Sequence, residues 1–199
     1  AGLAARGQRG QMNTTPESLE AAIERVCSTT IAETAAAVDR DGSFPLPSIQ
    51  ALQAAGLLGA ISSLESGGLG LGLAGAARVV RRVAEECGST AMVVTMHYCG
   101  AAVLEAHAPI EVRREAASGR HFSTLAFSES GSRSHFWAPV STAESHNGHI
   151  RLNASKSWVT SASYATAYVW SSKPVAADGV SPLWLVPASA PGIQVRGPF

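Results

Sequence analysis

Apolar positions recur every three to four residues as far as residue 119 and alternate after it, so the chain divides into a helical half and a sheet half. Thr15-Pro16-Glu17 supplies a hydroxyl cap, a proline at the first helical position and an acid near the positive helix end. Leu19, Ile23, Val26, Thr30, Ile31 and Val38 then share one face, and Asp41-Gly42 closes the run. Phe44-Pro45-Leu46-Pro47 reads as a rigid connector to a short helix over 48–55, closed by Gly56. A helix over 73–86 turns Val79, Val80 and Val83 inward. After the break at Gly88-Ser89, a nearly uncharged helix over 91–106 is predicted at the centre of the helical layer. Pro109 starts a last helix, stopped by Ser118-Gly119.

Beyond 119 the period becomes two. Strands are predicted over 121–128, 137–145, from 149, 165–171 and 183–186, with a last short run over 193–195. Asn147-Gly148 is a two-residue hairpin signal, and Asp178-Gly179 marks a loop. The fold class is α+β. A flexible tail (1–16) precedes an all-α N-terminal domain (17–119), followed by an antiparallel barrel- or sandwich-like β-domain (120–199) that stops partway through its sheet.

Composition narrows the picture. Only 15% of residues are charged while 46% are hydrophobic, against roughly a quarter charged in an average globular protein, which points to extensive buried or intersubunit surface. Fifteen basic residues balance fifteen acidic ones with no basic stripe, which argues against nucleic-acid binding. No apolar run approaches the ~20 residues of a membrane span. Residues 1–11 lack the apolar centre of a signal peptide, and Cys27, Cys87 and Cys99 read as reduced, buried thiols of a cytoplasmic protein.

Several motifs compete for chemistry. Gly70, Gly72 and Gly75 satisfy G-x-G-x-x-G, but a dinucleotide site needs a preceding strand, and here a loop precedes and helices follow. Ser128-Glu129-Ser130-Gly131 lacks the leading glycine of a nucleophile elbow, Phe127 standing in its place. His135, His146 and His149 have no cysteine or paired acid beside them, so no metal site is assigned. Glu129 lacks a second carboxylate for acid–base work, and His97 and His107 read as packed or surface histidines. The densest mixture of hydroxyls, glycine and aromatics is Leu125–Trp137 (LAFSESGSRSHFW), echoed by SKSWVTSA over 155–162. A flavin ring needs aromatic packing on its faces and hydrogen bonds along its edge, and these two segments offer both; a half-buried sheet with surface serines accounts for the spacing equally well.

The succession AAGLLGAISSLESGGLGLGLAGAARVVRRVAEECGST, LAFSESGSRS, LNASKSWVTSASYATAYVW and LWLVPASAPGIQV resembles the acyl-CoA dehydrogenase family from about residue 17 onward. The most specific parts are similar to that family's T-E-P-G-A-G-S-D and K-x-W-I-T-N segments. The resemblance implies an N-terminal helical domain, a middle β-domain, and FAD held between the β-domain and a C-terminal four-helix bundle, usually in a homotetramer. It places Leu125, Phe127 and Ser128 along the flavin ring and its polar edge, Ser134 near flavin and thioester, Trp158 beside the ring, Thr160 near N5, and Lys156 in a structural role. Ser130, Ser132-Arg133 and His135 depart from the pattern. A guanidinium at Arg133 would recharge the substrate mouth, where it meets a carboxylate or phosphate or else points to solvent. No catalytic residue is assigned within the chain, because the family's proton-abstracting glutamate comes from the bundle. The expected activity is α,β-dehydrogenation of an acyl-CoA or acyl-carrier thioester, with the bundle supplied by a missing domain or a partner chain. The alternatives are a flavin-dependent monooxygenase of the same fold and a non-catalytic subunit that keeps the fold.

Overall fold

The computed structural model describes residues 16–132, 138–175 and 181–197. Six helices come first: α1 (Pro16–Val26), α2 (Ala32–Asp41), α3 (Leu46–Ala54), α4 (Gly72–Glu86), α5 (Gly88–His107) and α6 (Ile110–Ala117). Five strands follow: β1 (Ser123–Ala126), β2 (Thr142–His146), β3 (His149–Asn153), β4 (Ala167–Ser171) and β5 (Leu183–Pro187). The helix-then-sheet order expected from the hydrophobic period is the observed one.

The predicted first helix is interrupted. A π-helical turn, Cys27–Ile31, joins α1 to α2, and both of its end residues are buried. Its sequence, CSTTI, explains the widening: Ser28 and Thr29 hydroxyls donate back to the carbonyls of Glu24 and Arg25, competing with the regular ladder. Gly42 then ends α2 in the left-handed conformation, at φ 56°. Leu19, Ile23, Val26, Ile31 and Val38 enter one core with Val79, Val83, Val93 and Val94.

The glycine-rich stretch before α4 packs back on its own preceding loop. Gly68 and Gly70 N–H groups donate to the Ser63 and Ser62 carbonyls, and a Cβ on Gly68 would fall 2.5 Å from Ser62. Glycine is required there by close backbone approach, and among the described residues no strand precedes it, which argues against the dinucleotide reading.

The main sheet has the order β1-β4-β5. β4 and β5 are antiparallel, but β1 pairs with β4 in parallel, Leu125 opposite Val169. The sheet is therefore mixed where an antiparallel one was expected. A parallel pair needs a long crossover, and the segment 127–166 provides it. Within that segment β2 and β3 form a separate hairpin turned by Asn147 (φ 49°) and Gly148 (φ 78°), as the Asn-Gly pair predicts. The second strand starts at Thr142, later than expected, because the Val140 and Ser141 N–H groups are taken by the Glu129 carboxylate. No strand forms over 193–195; Ile193 N–H closes a turn onto Ala190.

Helices and sheet meet along α5. His97 is fully buried there, its Nδ1 accepting from Ser123 N–H on β1 and its Nε2 donating to the Leu58 carbonyl, both at 3.2 Å. Those partners fix the neutral tautomer. Burial pushes its pKa down to about 4, and the ring stacks on Phe122 at 4.9 Å. The opposite side of α5 is open: Met92 is exposed, and so is Cys99, which unlike Cys27 and Cys87 is not the buried thiol expected.

Candidate functional site

A cleft of about 1250 Å³ opens between the first turn of α5, the loop 153–163, β4 and the segment 192–196. Trp158 and Thr160 line it, as do Met92 and Trp170. Trp158 is 90% exposed, an unusual state for the largest side chain in the chain. Its backbone and that of Ser161 are left-handed, at φ 56° and 62°. Such a conformation costs a non-glycine residue about 1–3 kcal/mol and persists only where the surroundings impose it.

The surroundings do so at both ends of the loop. At its far end the Thr160 carbonyl accepts from Thr124 Oγ1 at 2.7 Å, and the Ala162 carbonyl accepts from the Tyr168 hydroxyl at 2.7 Å. At its near end Lys156 forms a buried ion pair with Glu129, the two side chains only 4% and 2% exposed. Glu129 also accepts from the N–H groups of Val140 and Ser141, both at 2.8 Å, and from Ser141 Oγ. Burial alone would raise its pKa; Lys156, Ser141 and the two N–H groups outweigh this and hold it below the ordinary carboxylate range. The Lys156 ammonium donates in addition to the Ser171 carbonyl and hydroxyl and lies 5.2 Å from the Trp170 ring centre. Burial lowers its pKa, with Glu129 pulling the other way.

The residues singled out from the sequence are distributed unevenly. Trp158 and Thr160 come together in the cleft. Ser128 sits against that loop through its backbone, its carbonyl accepting from Ser157 N–H at 2.9 Å. Leu125 and Phe127 project from the other face of β1 and its extension. They pack with Leu104, Ala116 and Val169, and neither lines the cleft. Arg133, Ser134 and His135 lie outside the described residues. Sequence reasoning missed the Glu129–Lys156 pair as a unit. The signal was there in principle: in a chain this poor in charge, Glu129 is the single acid of the two segments and Lys156 the single charged residue of the second. Among the described residues, the cleft lining contains Lys156 and Arg196 but no Asp, Glu or His. Two buried polar atoms on lining residues, Trp170 Nε1 and Ser161 Oγ, have no hydrogen-bond partner.

Two family models match in succession: the acyl-CoA dehydrogenase N-terminal domain over residues 13–117 and the acyl-CoA dehydrogenase middle domain over 124–199. The chain belongs to the acyl-CoA dehydrogenase family. It is 30% identical over 183 residues to a probable acyl-CoA dehydrogenase, YngJ, of Bacillus subtilis, covering 85% of this chain and 47% of that protein. It is 27% identical over 170 residues to the human mitochondrial short-chain specific acyl-CoA dehydrogenase, covering 81% and 41%. The chain thus spans about half the length of the relatives it matches. Among solved structures, a probable acyl-CoA dehydrogenase from Mycobacterium abscessus superposes with a TM-score of 0.80 at 22% identity, covering 92% of this chain and 51% of that one. The FAD complex of PigA superposes with a TM-score of 0.74 at 17% identity, covering 94% and 51%.

Proposed function

We propose that this chain forms the flavin-facing half of an acyl-CoA dehydrogenase-type oxidoreductase, acting on an acyl thioester carried by CoA or a carrier protein. The observation that carries the reading is the cleft itself: an almost fully exposed Trp158, held left-handed, beside Thr160 and two orphaned polar atoms. That set fits FAD. The indole offers a flat apolar face, Thr160 offers a polar contact at its side, Ser128 supports the loop from behind through its carbonyl, and Trp170 Nε1, which can only donate, calls for an acceptor on the ligand. Leu125 and Phe127 back the wall from the helical side. Ser134 and Arg133, which follow the same segment, are assigned to the substrate end. When bound, FAD supplies the two-electron acceptor that takes the β-hydride.

The chain's own residues bind and orient in this scheme; they do not abstract the α-proton. No carboxylate or imidazole lines the described cleft, and all three donors of the Lys156 ammonium are committed to Glu129 and Ser171. As the family resemblance implies, the base is assigned to a C-terminal helical bundle on the same or a partner polypeptide. The test is to mix the chain with such a bundle and FAD and follow acyl-CoA-dependent reduction of a dye. Reduction supports the reading. Oxygen uptake driven by a reductase, without acyl-CoA oxidation, replaces dehydrogenation with monooxygenation, and neither activity removes both.

A further inference from the structure

The Glu129–Lys156 pair does more than fill a buried space. It joins four separate pieces of backbone: the turn after β1, the segment entering β2, the loop that carries Trp158, and the end of β4. Glu129 is fixed from behind as well. Its carbonyl accepts from Ser132 N–H and Oγ, and its own N–H donates to Ser132 Oγ. A single antiparallel bridge, Glu129 with Lys156, is the only ladder pairing between these two segments among the described residues. Ser157 N–H, the next group along, reaches back to Ser128. Trp158 follows at once, exposed and left-handed, with no side-chain burial to hold it.

We propose that Glu129 and Lys156 are positioning residues for the cofactor wall, fixing the near end of the 157–161 loop so that Trp158 and Thr160 are presented to the cleft in one geometry. The inference rests on the flavin reading above for what the wall faces, but the positioning itself is a property of the chain alone. The pair is suited to the task because its charges compensate each other. All four contacts on the carboxylate and all three on the ammonium are made, so the pair itself presents no net charge to the ligand.

The role separates from ordinary stabilisation in the double variant Glu129→Gln/Lys156→Met, which removes both charges and keeps the volume. A buried pair replaced by neutral groups of similar size retains most global stability. If the charges position the loop, this variant keeps a near-normal urea midpoint while amides of 157–161 exchange about tenfold faster and those of α5 do not change. FAD dissociation constants, measured with the bundle present, rise about tenfold in parallel. Unchanged exchange over 157–161 overturns the proposal. So does a variant that fails to fold, which makes the pair a brace of the whole domain. Should the wild-type chain bind no FAD, the flavin reading fails, and the exchange comparison still decides the positioning.

Discussion

His97 makes a quantitative test of how the helical and sheet halves are joined. Its imidazole is neutral in the folded protein because charging it would place an unsolvated cation between Leu58, Ser123 and Phe122. The folded pKa of about 4 lies below the ordinary value of 6.5. The unfolded chain therefore binds the proton first as pH falls. Stability is full above pH 6.5, declines between 6.5 and 4, and is lost no further once the folded form also protonates. Two and a half pKa units correspond to about 3 kcal/mol over the whole window, and to about 2 kcal/mol by pH 5. Set against a typical domain stability of about 5–15 kcal/mol, this is large. His121, whose pKa burial also lowers, adds a loss of the same sign, so the comparison must be with a non-titrating residue at the same place. His97→Gln keeps one donor and one acceptor. Urea unfolding at pH 7.5 and pH 5 should show a wild-type midpoint falling by about 1 M more than that of the variant. Equal falls in the two proteins would refute the account of His97 as a buried neutral link.

Three further outcomes follow from the same contacts. Lys156→Met alone strands the Glu129 carboxylate and should cost about 3–5 kcal/mol in urea unfolding, most of it recovered in Glu129→Gln/Lys156→Met. Tyr98→Phe removes the hydroxyl that donates to the buried Leu57 carbonyl at 2.5 Å and should cost about 1–3 kcal/mol by the same method, with no change in the sheet's circular dichroism. Of the three cysteines, Cys99 alone should be alkylated in the native state, as read by mass spectrometry. Cys27 is buried with its thiol pushed up to about 11, whereas Cys99 is exposed, though its thiol is also raised by partial burial.

Much of the fold was legible because local signals agreed with the tertiary result. Asp41-Gly42, Asn147-Gly148 and the change of period near 119 each correspond to a feature of the structure. What was not legible depended on contacts distant in sequence. The parallel pairing of β1 with β4 leaves no mark in either strand, since alternation reads the same in both directions. The late start of β2 is set by a carboxylate eleven residues upstream. Likewise the LAFSESGSRSHFW segment signalled a polar, aromatic site, but not which face of β1 turns where. Ser128 lies against the cleft loop, while Leu125 and Phe127 pack toward α5 and α6. Trp158 and Thr160 were found together because they stand two residues apart; Trp170 and Met92, from β4 and α5, carried no local sign of joining them.

FAD affinity measures directly whether the cleft is a flavin wall. With a C-terminal bundle supplied, titration followed by the flavin visible band should show binding to the wild-type chain. Trp158→Ala/Thr160→Ala should weaken it by at least about tenfold while leaving the unfolding free energy in urea within about 0.5 kcal/mol of wild type, as expected for so exposed a tryptophan. A wild-type chain that leaves the band of free FAD unperturbed, or a variant that binds FAD as tightly as wild type, would contradict the flavin reading.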